Sequence, residues 1–390
     1  MPSRLLYFLI ALLLSANAIA QPGTTKQWRI AVLAPLYIDS VFTDTFFTGT
    51  LPLPKYMQPG LEFYQGAMAA VDSMQKEHLP VEVWVYDTRK AHQTAEDLQT
   101  QMGTRHFSLI IAALGSALEQ QSFANFAFSQ NIPFISATYP NDAGVTGNPY
   151  FAIVNPTLKT HVEALYKYVQ RNHIGNKVYY ITRKGSMENK IKTYFDGTAA
   201  KTAALKYTLL TMPDTFTAAS LRPLIIDTAT ESVFICGSLN DNFGLRMIHA
   251  LSAIGFTHGV TAVGMPTWDG AKPLTGDDCK NVQIVYSTPY NYSRTNKTVA
   301  ALADAYKNKF GSRPGDMFLK GYEAMYHFTS LLAKLQDSLL FNLSNTAFKV
   351  CNDYNFQPVY LTPASYAPDY QENKKLYFVK MLNGEIKSVY

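Results

Sequence analysis

Between Trp28 and Thr88 the chain alternates in a way that leaves few folds open. Trp28-Arg29-Ile30-Ala31-Val32-Leu33-Ala34-Pro35 is a short apolar run, long enough for a strand buried on both faces and stopped by proline. After a loop and Pro59-Gly60, Leu61, Tyr64, Ala67, Met68 and Val71 recur at spacings of three and four, which places them on one helix face. Val81-Glu82-Val83-Trp84-Val85-Tyr86 then reads as a second strand, with Asp87-Thr88 as its turn. Strand, amphipathic helix and strand make a βαβ unit, whose crossover requires a parallel sheet covered by helices. Such a sheet leaves its functional loops at the carboxyl ends of its strands.

The alternation continues. Residues 91–102 and 117–130 read as helices, and 107–114, 133–137 and 150–154 as strands, completing one α/β lobe. A second lobe begins at Asn155-Pro156-Thr157, where Asn155 or Thr157 is placed to cap a helix running to about His173. Its strands are 177–182, 207–211, 232–237 and 260–265, separated by helices near 188–203, 218–227 and 242–255; 282–287 is a further strand. At 390 residues the chain is too long for one ordinary core. Late helices at 298–310 and 317–335 imply that the chain crosses between the lobes more than once, which makes a multi-strand hinge. The expected fold is α/β: two doubly wound, Rossmann-like lobes with mainly parallel sheets. The first is assigned 27–154 plus about 288–337, the second 155–287 plus about 338–390. Asn383-Gly384, between apolar runs at 375–381 and 385–390, is a strong hairpin signal.

Residues 1–20 are expected to be a signal peptide: Arg4, an apolar run from Leu5 to Leu14, and Ala18-Ile19-Ala20 as a cleavage pattern before Gln21. Cleavage after Ala20 would export the chain to the periplasm. No cysteine follows the apolar run to carry a lipid, and no later stretch is apolar for long enough to span a bilayer. A net charge of +5 from scattered basic residues gives no row of cations for phosphates, so nucleic acid is not an expected partner. Cys236, Cys279 and Cys351 do not have zinc-site spacing; Cys236 lies in an apolar run, and pairing of Cys279 with Cys351 stays open.

The sequence carries little catalytic machinery. No phosphate loop, Gly-x-Gly-x-x-Gly, His-Glu-x-x-His or Gly-x-Ser-x-Gly motif is found, His249 and His327 read as helix residues, and Asp277-Asp278 as a turn. Neither an enzyme nor a cofactor is expected. What the predicted strand ends do carry is hydroxyls. Gly115-Ser116 follows one strand and Ser136-Ala137-Thr138-Tyr139 another, each beside a helix amino terminus that favours an anion; a serine there also serves as a plain cap. From the second lobe come Ser238-Leu239-Asn240-Asp241 and Pro266-Thr267-Trp268-Asp269. Trp268 is a candidate to stack on a ligand and Asp269 to pair with an ammonium, although Asp269 before Gly270 also reads as a turn.

Several stretches resemble the type I periplasmic binding proteins, the family of the leucine/isoleucine/valine-binding proteins. They are Ile30-Ala31-Val32-Leu33-Ala34-Pro35-Leu36-Tyr37, then Phe63-Tyr64-Gln65-Gly66-Ala67-Met68-Ala69-Ala70-Val71-Asp72, and Val85-Tyr86-Asp87-Thr88. Ile132-Pro133-Phe134-Ile135-Ser136 and, late in the chain, Gly321-Tyr322-Glu323-Ala324 continue the order. The Phe-Tyr-x-Gly helix and the Pro266-x-Trp268 loop are most similar to a branch common in Bacteroidetes, whose members are described as amino-acid-binding proteins or stand beside peptidoglycan-binding modules. The resemblance implies that Ser116, Ser136, Ala137 and Thr138 hold a ligand carboxylate and Asp269 its ammonium; Tyr37, Tyr139, Asn240 and Trp268 are further candidate contacts. Leu239 or Asn240 stands where the family carries an aromatic. The insertion at 38–59, with Phe42, Phe46, Phe47 and Tyr56, is placed to cover the cleft rim. The implied function is capture of a small polar, amino-acid-like ligand between the lobes for an ABC permease. The alternative is a cell-envelope interaction or sensor module that keeps the fold without transport.

Overall fold

The computed structural model describes residues 27–225, 230–254, 259–293, 295–362 and 365–389. The expected signal peptide lies outside them, as do the predicted ends, at 227 and 255, of two helices. β1 (Trp28–Ala34) is buried on both sides. Ile30, Val32 and Ala34 join one core cluster with Phe63, Ala67 and Val71, while Ala31 and Leu33 join another with Phe123 and Ala124. Each large apolar side chain so buried contributes about 1.5–3 kcal/mol. A short hairpin, β2 (Phe42–Thr43) and β3 (Phe46–Phe47), precedes α1 (Gln58–Lys76), which has proline in its first turn. β4 (Val81–Asp87), α2 (Ala95–Gly103), β5 (Leu109–Ala112), α3 (Ala117–Ser129), β6 (Phe134–Ser136) and β7 (Phe151–Ile153) follow. The Asp87 carboxylate accepts the N–H groups of Leu36, Tyr37 and Ile38, which fixes the loop leaving β1.

The chain then builds a second unit from α4 (Leu158–Asn172), β8 (Lys177–Thr182), α5 (Ser186–Ala199), β9 (Thr208–Thr211), α6 (Ala218–Leu221), β10 (Ser232–Cys236), α7 (Asp241–Ser252), β11 (Val260–Val263) and β12 (Gln283–Thr288). Thr157 is the residue that caps α4. The chain returns to the first unit with α8 (Lys297–Phe310) and α9 (Asp316–Leu335), then β13 (Phe356–Val359) and β14 (Tyr370–Asn373), before β15 (Tyr377–Leu382) and β16 (Glu385–Val389). The first sheet has the order β13-β14-β7-β6-β5-β1-β4 and the second β16-β15-β12-β11-β10-β8-β9. Pairing is parallel except for β13 with β14, β12 with β15 and β15 with β16. The last pair is the hairpin read from Asn383-Gly384, and both turn residues have positive φ. No helix among the described residues is long and apolar enough to cross a membrane.

α9 lies on α1 at very close range. A Cβ on Gly66 would meet the Phe318 carbonyl oxygen at 1.9 Å, and one on Gly321 would meet that of Phe63 at 2.1 Å. Two glycines therefore let the backbones touch.

One expectation needs correction. The sequence places 338–390 in the second lobe, but the structure divides that tail. β14 pairs with β7 through Gln371–Ala152 and Glu372–Ile153, so β13 and β14 extend the first sheet, and β15 and β16 alone join the second. The reason is that Tyr370-Gln371-Glu372-Asn373 is buried by satisfied polar groups, which leave no apolar periodicity to read. Glu372 accepts from Thr157, Thr160 and Lys374, and Asn373 Nδ2 donates to the Val154 carbonyl. The pairing that spacing leaves open between Cys279 and Cys351 is absent: all three cysteines are free and buried, Cys279 in the second lobe's core and Cys351 against α8 and α9. The lobes are joined by three crossings, near 154–157, 288–296 and 374–376.

Candidate functional site

The carboxyl ends of several strands from both sheets open on one cleft of about 700 Å³, a size suited to a small ligand. The first lobe supplies the loop from Tyr139 to Gly144 after β6, and the second supplies Met187, Leu239, Pro266, Thr267 and Asp269. The crossings form the floor through residues 155–159 and through Pro289 and Tyr290.

Of the nine predicted contacts, Tyr139 and Asp269 line this cleft. The others are engaged elsewhere. Ser116 caps α3: its Oγ accepts the Glu119 N–H at 3.3 Å and donates to Glu119 Oε2 at 3.0 Å, a carboxylate also bound by Arg89. Ser136 is wholly inside the sheet, its hydroxyl without a partner among the described residues. Ala137 is buried, and its carbonyl accepts the Tyr290 hydroxyl at 2.8 Å. Thr138 is half-buried, and its carbonyl accepts from Asn155 Nδ2. Tyr37 is held in the left-handed region, with its ring edge-on to Tyr56. Asn240 caps α7 by accepting the Phe243 N–H at 2.9 Å.

Trp268 departs furthest from its expected stacking role. It is 3% exposed and packed inside the second lobe. Its indole occupies a slot walled by glycines, since a Cβ on Gly264 would lie 2.0 Å from the ring and one on Gly244 2.7 Å from Nε1. No residue of the 38–59 insertion lines the cleft.

Asp269 is positioned by a short relay. The Tyr290 N–H donates to Thr288 Oγ1 at 3.2 Å, and the Thr288 hydroxyl donates to Asp269 Oδ2 at 2.8 Å. Burial raises the Asp269 carboxyl above the usual range, and the Thr288 bond and the charge of Lys320 work against that rise. Lys320, on α9, also lines the cleft, with its ammonium 4.1 Å from the centroid of the Tyr290 ring. Burial lowers its pKa, offset in part by Asp316 and Asp269. His161 is buried at the floor with Nδ1 2.8 Å from Ser287 Oγ; burial lowers it to about 4 against the pull of Glu372. Sequence reasoning missed Lys320, Tyr290 and His161. The one signal was a lysine set between Leu319 and Gly321 in a helix otherwise turned toward the core.

One cluster among the described residues brings three metal-ligating atoms within 4.8 Å of one another: His249 on α7, Asp278 and Cys279. His249 Nε2 is 3.1 Å from Asp278 Oδ2, and the Cys279 thiol, pushed up to about 11 mainly by burial, donates to the Pro273 carbonyl. None of the three lines the cleft.

A family model described as periplasmic binding protein matches residues 56–384. No curated protein sequence matches the chain. Among solved structures it resembles a branched-chain amino acid ABC transporter protein from Rhodospirillum rubrum, at 14% identity and a TM-score of 0.67, covering 93% of this chain and 99% of that one. It also resembles an ABC transporter substrate-binding protein from Desulfitobacterium hafniense in complex with leucine, at 13% identity, TM-score 0.59 and coverage of 93% and 99%. A third is a solute-binding protein from R. palustris in complex with benzoate, at 13% identity, TM-score 0.51 and coverage of 93% and 95%.

Proposed function

Because the chain belongs to the periplasmic binding protein family, we propose that it is an exported solute-binding protein. In this reading the leader is removed after Ala20, the mature chain works in the periplasm, and its cleft closes on a small polar, amino-acid-like ligand for delivery to an ABC permease. The observation that carries the reading is a single cleft walled by strand ends of both lobes, with Tyr139 and Asp269 facing it from opposite sides. Lobes joined by three crossings close without separating, and closure dries the contacts between them. The leucine and benzoate held by two structures of the same fold are small molecules of the size this cleft admits. Binding rather than catalysis is the role that follows.

A ligand that binds only the native state raises its melting temperature. A thermal-shift screen with the free amino acids is therefore the test, and Asp269→Asn should weaken any hit bearing an ammonium by roughly 10- to 100-fold. No stabilisation by any amino acid, or an unchanged affinity in Asp269→Asn, defeats the reading.

One observation favours a second reading, that of an envelope interaction module. Phe42, Phe46 and Phe47 on the β2–β3 hairpin and Leu51 beyond it are exposed together, an apolar surface suited to a partner. Stabilisation by peptidoglycan fragments and not by amino acids would select it.

A further inference from the structure

We infer that Lys320 is the group that holds the ligand's negative charge, so that the cleft selects small carboxylates. The inference rests on the solute-binding reading and gives it a ligand class. Lys320 belongs to α9 of the first lobe and lines the cleft with its ammonium 4.1 Å above the Tyr290 ring. That ring is a fixed platform: Tyr290 is 9% exposed, its hydroxyl is bound to the Ala137 carbonyl and its N–H to Thr288. The lysine is therefore positioned before any ligand arrives.

No carboxylate among the described residues comes within 4.0 Å of this ammonium. Asp316, one turn earlier on the same helix, and Asp269, across the cleft, act on it from farther off. A partly dehydrated ammonium that lacks a contact anion is costly, and the aromatic face offsets part of that cost. A ligand carboxylate completes the set with a charge-assisted hydrogen bond.

The three predicted hydroxyl residues are not part of the cleft wall, although Ala117, the first residue of α3, borders it. Ser116 is committed to Glu119, Ser136 is interior, and Thr138 does not line the cleft. Lys159 and Lys190 also border the cleft, but both are exposed to solvent, where a charge pair contributes little. Lys320 and Asp269 are linked through the same crossing, one by its stack on Tyr290 and the other by its bond from Thr288. The cleft accordingly ranks amino acids above plain acids, and both above their amides.

The test is thermal shift and calorimetry on the purified chain with leucine, phenylalanine and benzoate, each paired with its primary amide, in wild type, Lys320→Met and Lys320→Arg. Wild type should bind at least one acid, with its amide weaker by roughly 10- to 100-fold. Lys320→Met should lose acid binding to the same degree while its ligand-free melting temperature is unchanged or higher, because a half-buried ammonium without a contact anion has gone; Lys320→Arg should retain part of the binding. A merely structural lysine would instead lower the ligand-free melting temperature and leave the preference for acid over amide intact. An amide bound as tightly as its acid, or an acid bound by Lys320→Met with wild-type affinity, overturns the assignment and leaves solute binding standing. Silence from every acid and amide overturns both.

Discussion

Gly321→Ala adds one methyl group to a helix and should nonetheless destabilise the protein. In an isolated helix the change is favourable by about 1 kcal/mol, because alanine has less backbone freedom to lose. Here the new Cβ would lie 2.1 Å from the Phe63 carbonyl oxygen, where ordinary contact begins at 3.4 Å. The obstacle is backbone of α1, not the end of a flexible side chain, so the two helices must part by more than an ångström along their contact. Parting them loosens Phe63, Phe318 and Tyr322 together. Overpacking of this kind costs about 1–3 kcal/mol, and an obstacle that cannot rotate aside puts the site at the upper end; about 2 kcal/mol should remain after the helix gain. Gly66→Ala presses on the same contact from the other helix, and the double variant should cost less than the two singles added, since one separation relieves both. Gly197, exposed within α5 with nothing within 4 Å of its added Cβ, is the control: its alanine variant should gain about 0.5–1 kcal/mol. Urea unfolding of the three single variants and the double reads these values. A Gly321→Ala protein as stable as Gly197→Ala would refute the close helix crossing.

Ser116→Ala should cost about 1 kcal/mol of stability through loss of the α3 cap, with ligand affinity in calorimetry unchanged. Trp268→Ala should cost about 3–5 kcal/mol in chemical unfolding, because the indole fills the core of the second lobe. His161, buried and lowered to about 4, is neutral in the folded protein while the unfolded chain takes up a proton below about 6.5. The stability it contributes is present above pH 6.5 and lost as pH falls toward 4, so urea midpoints between pH 7 and pH 4.5 should fall less steeply in His161→Gln. Glu372, raised by burial but held below the usual range by Lys374, Thr160 and Thr157, contributes stability that is lost as pH falls through its folded value. Glu372→Gln should lower the melting temperature at pH 7 and narrow its difference from wild type in acid.

What the sequence determined by itself was the part of the fold written in period. β1 is apolar without a break from Ile30 to Ala34 because both its faces are buried there, and α1 shows three-and-four spacing because one face is. Asn383-Gly384 marks its hairpin because a tight turn needs positive φ at two adjacent residues. Gly66 and Gly321, read as parts of two family-like stretches, owe their place to a helix crossing that neither stretch describes alone.

Only the tertiary structure decided the rest. β14 is polar and buried, its cost met by Thr157, Thr160 and Lys374, residues no local pattern connects. A serine after a strand reads the same whether it faces a cleft or caps a helix, and Ser116 turned out to cap. An aromatic before an aspartate reads the same exposed or buried, and Trp268 is buried by glycines at 244 and 264. Lys320 enters the cleft from a helix 51 positions beyond Asp269 in the chain. Periodicity reports which side of an element meets the core, because burial repeats with the backbone; which groups share a cleft depends on how separate elements pack, and no single stretch of sequence carries that.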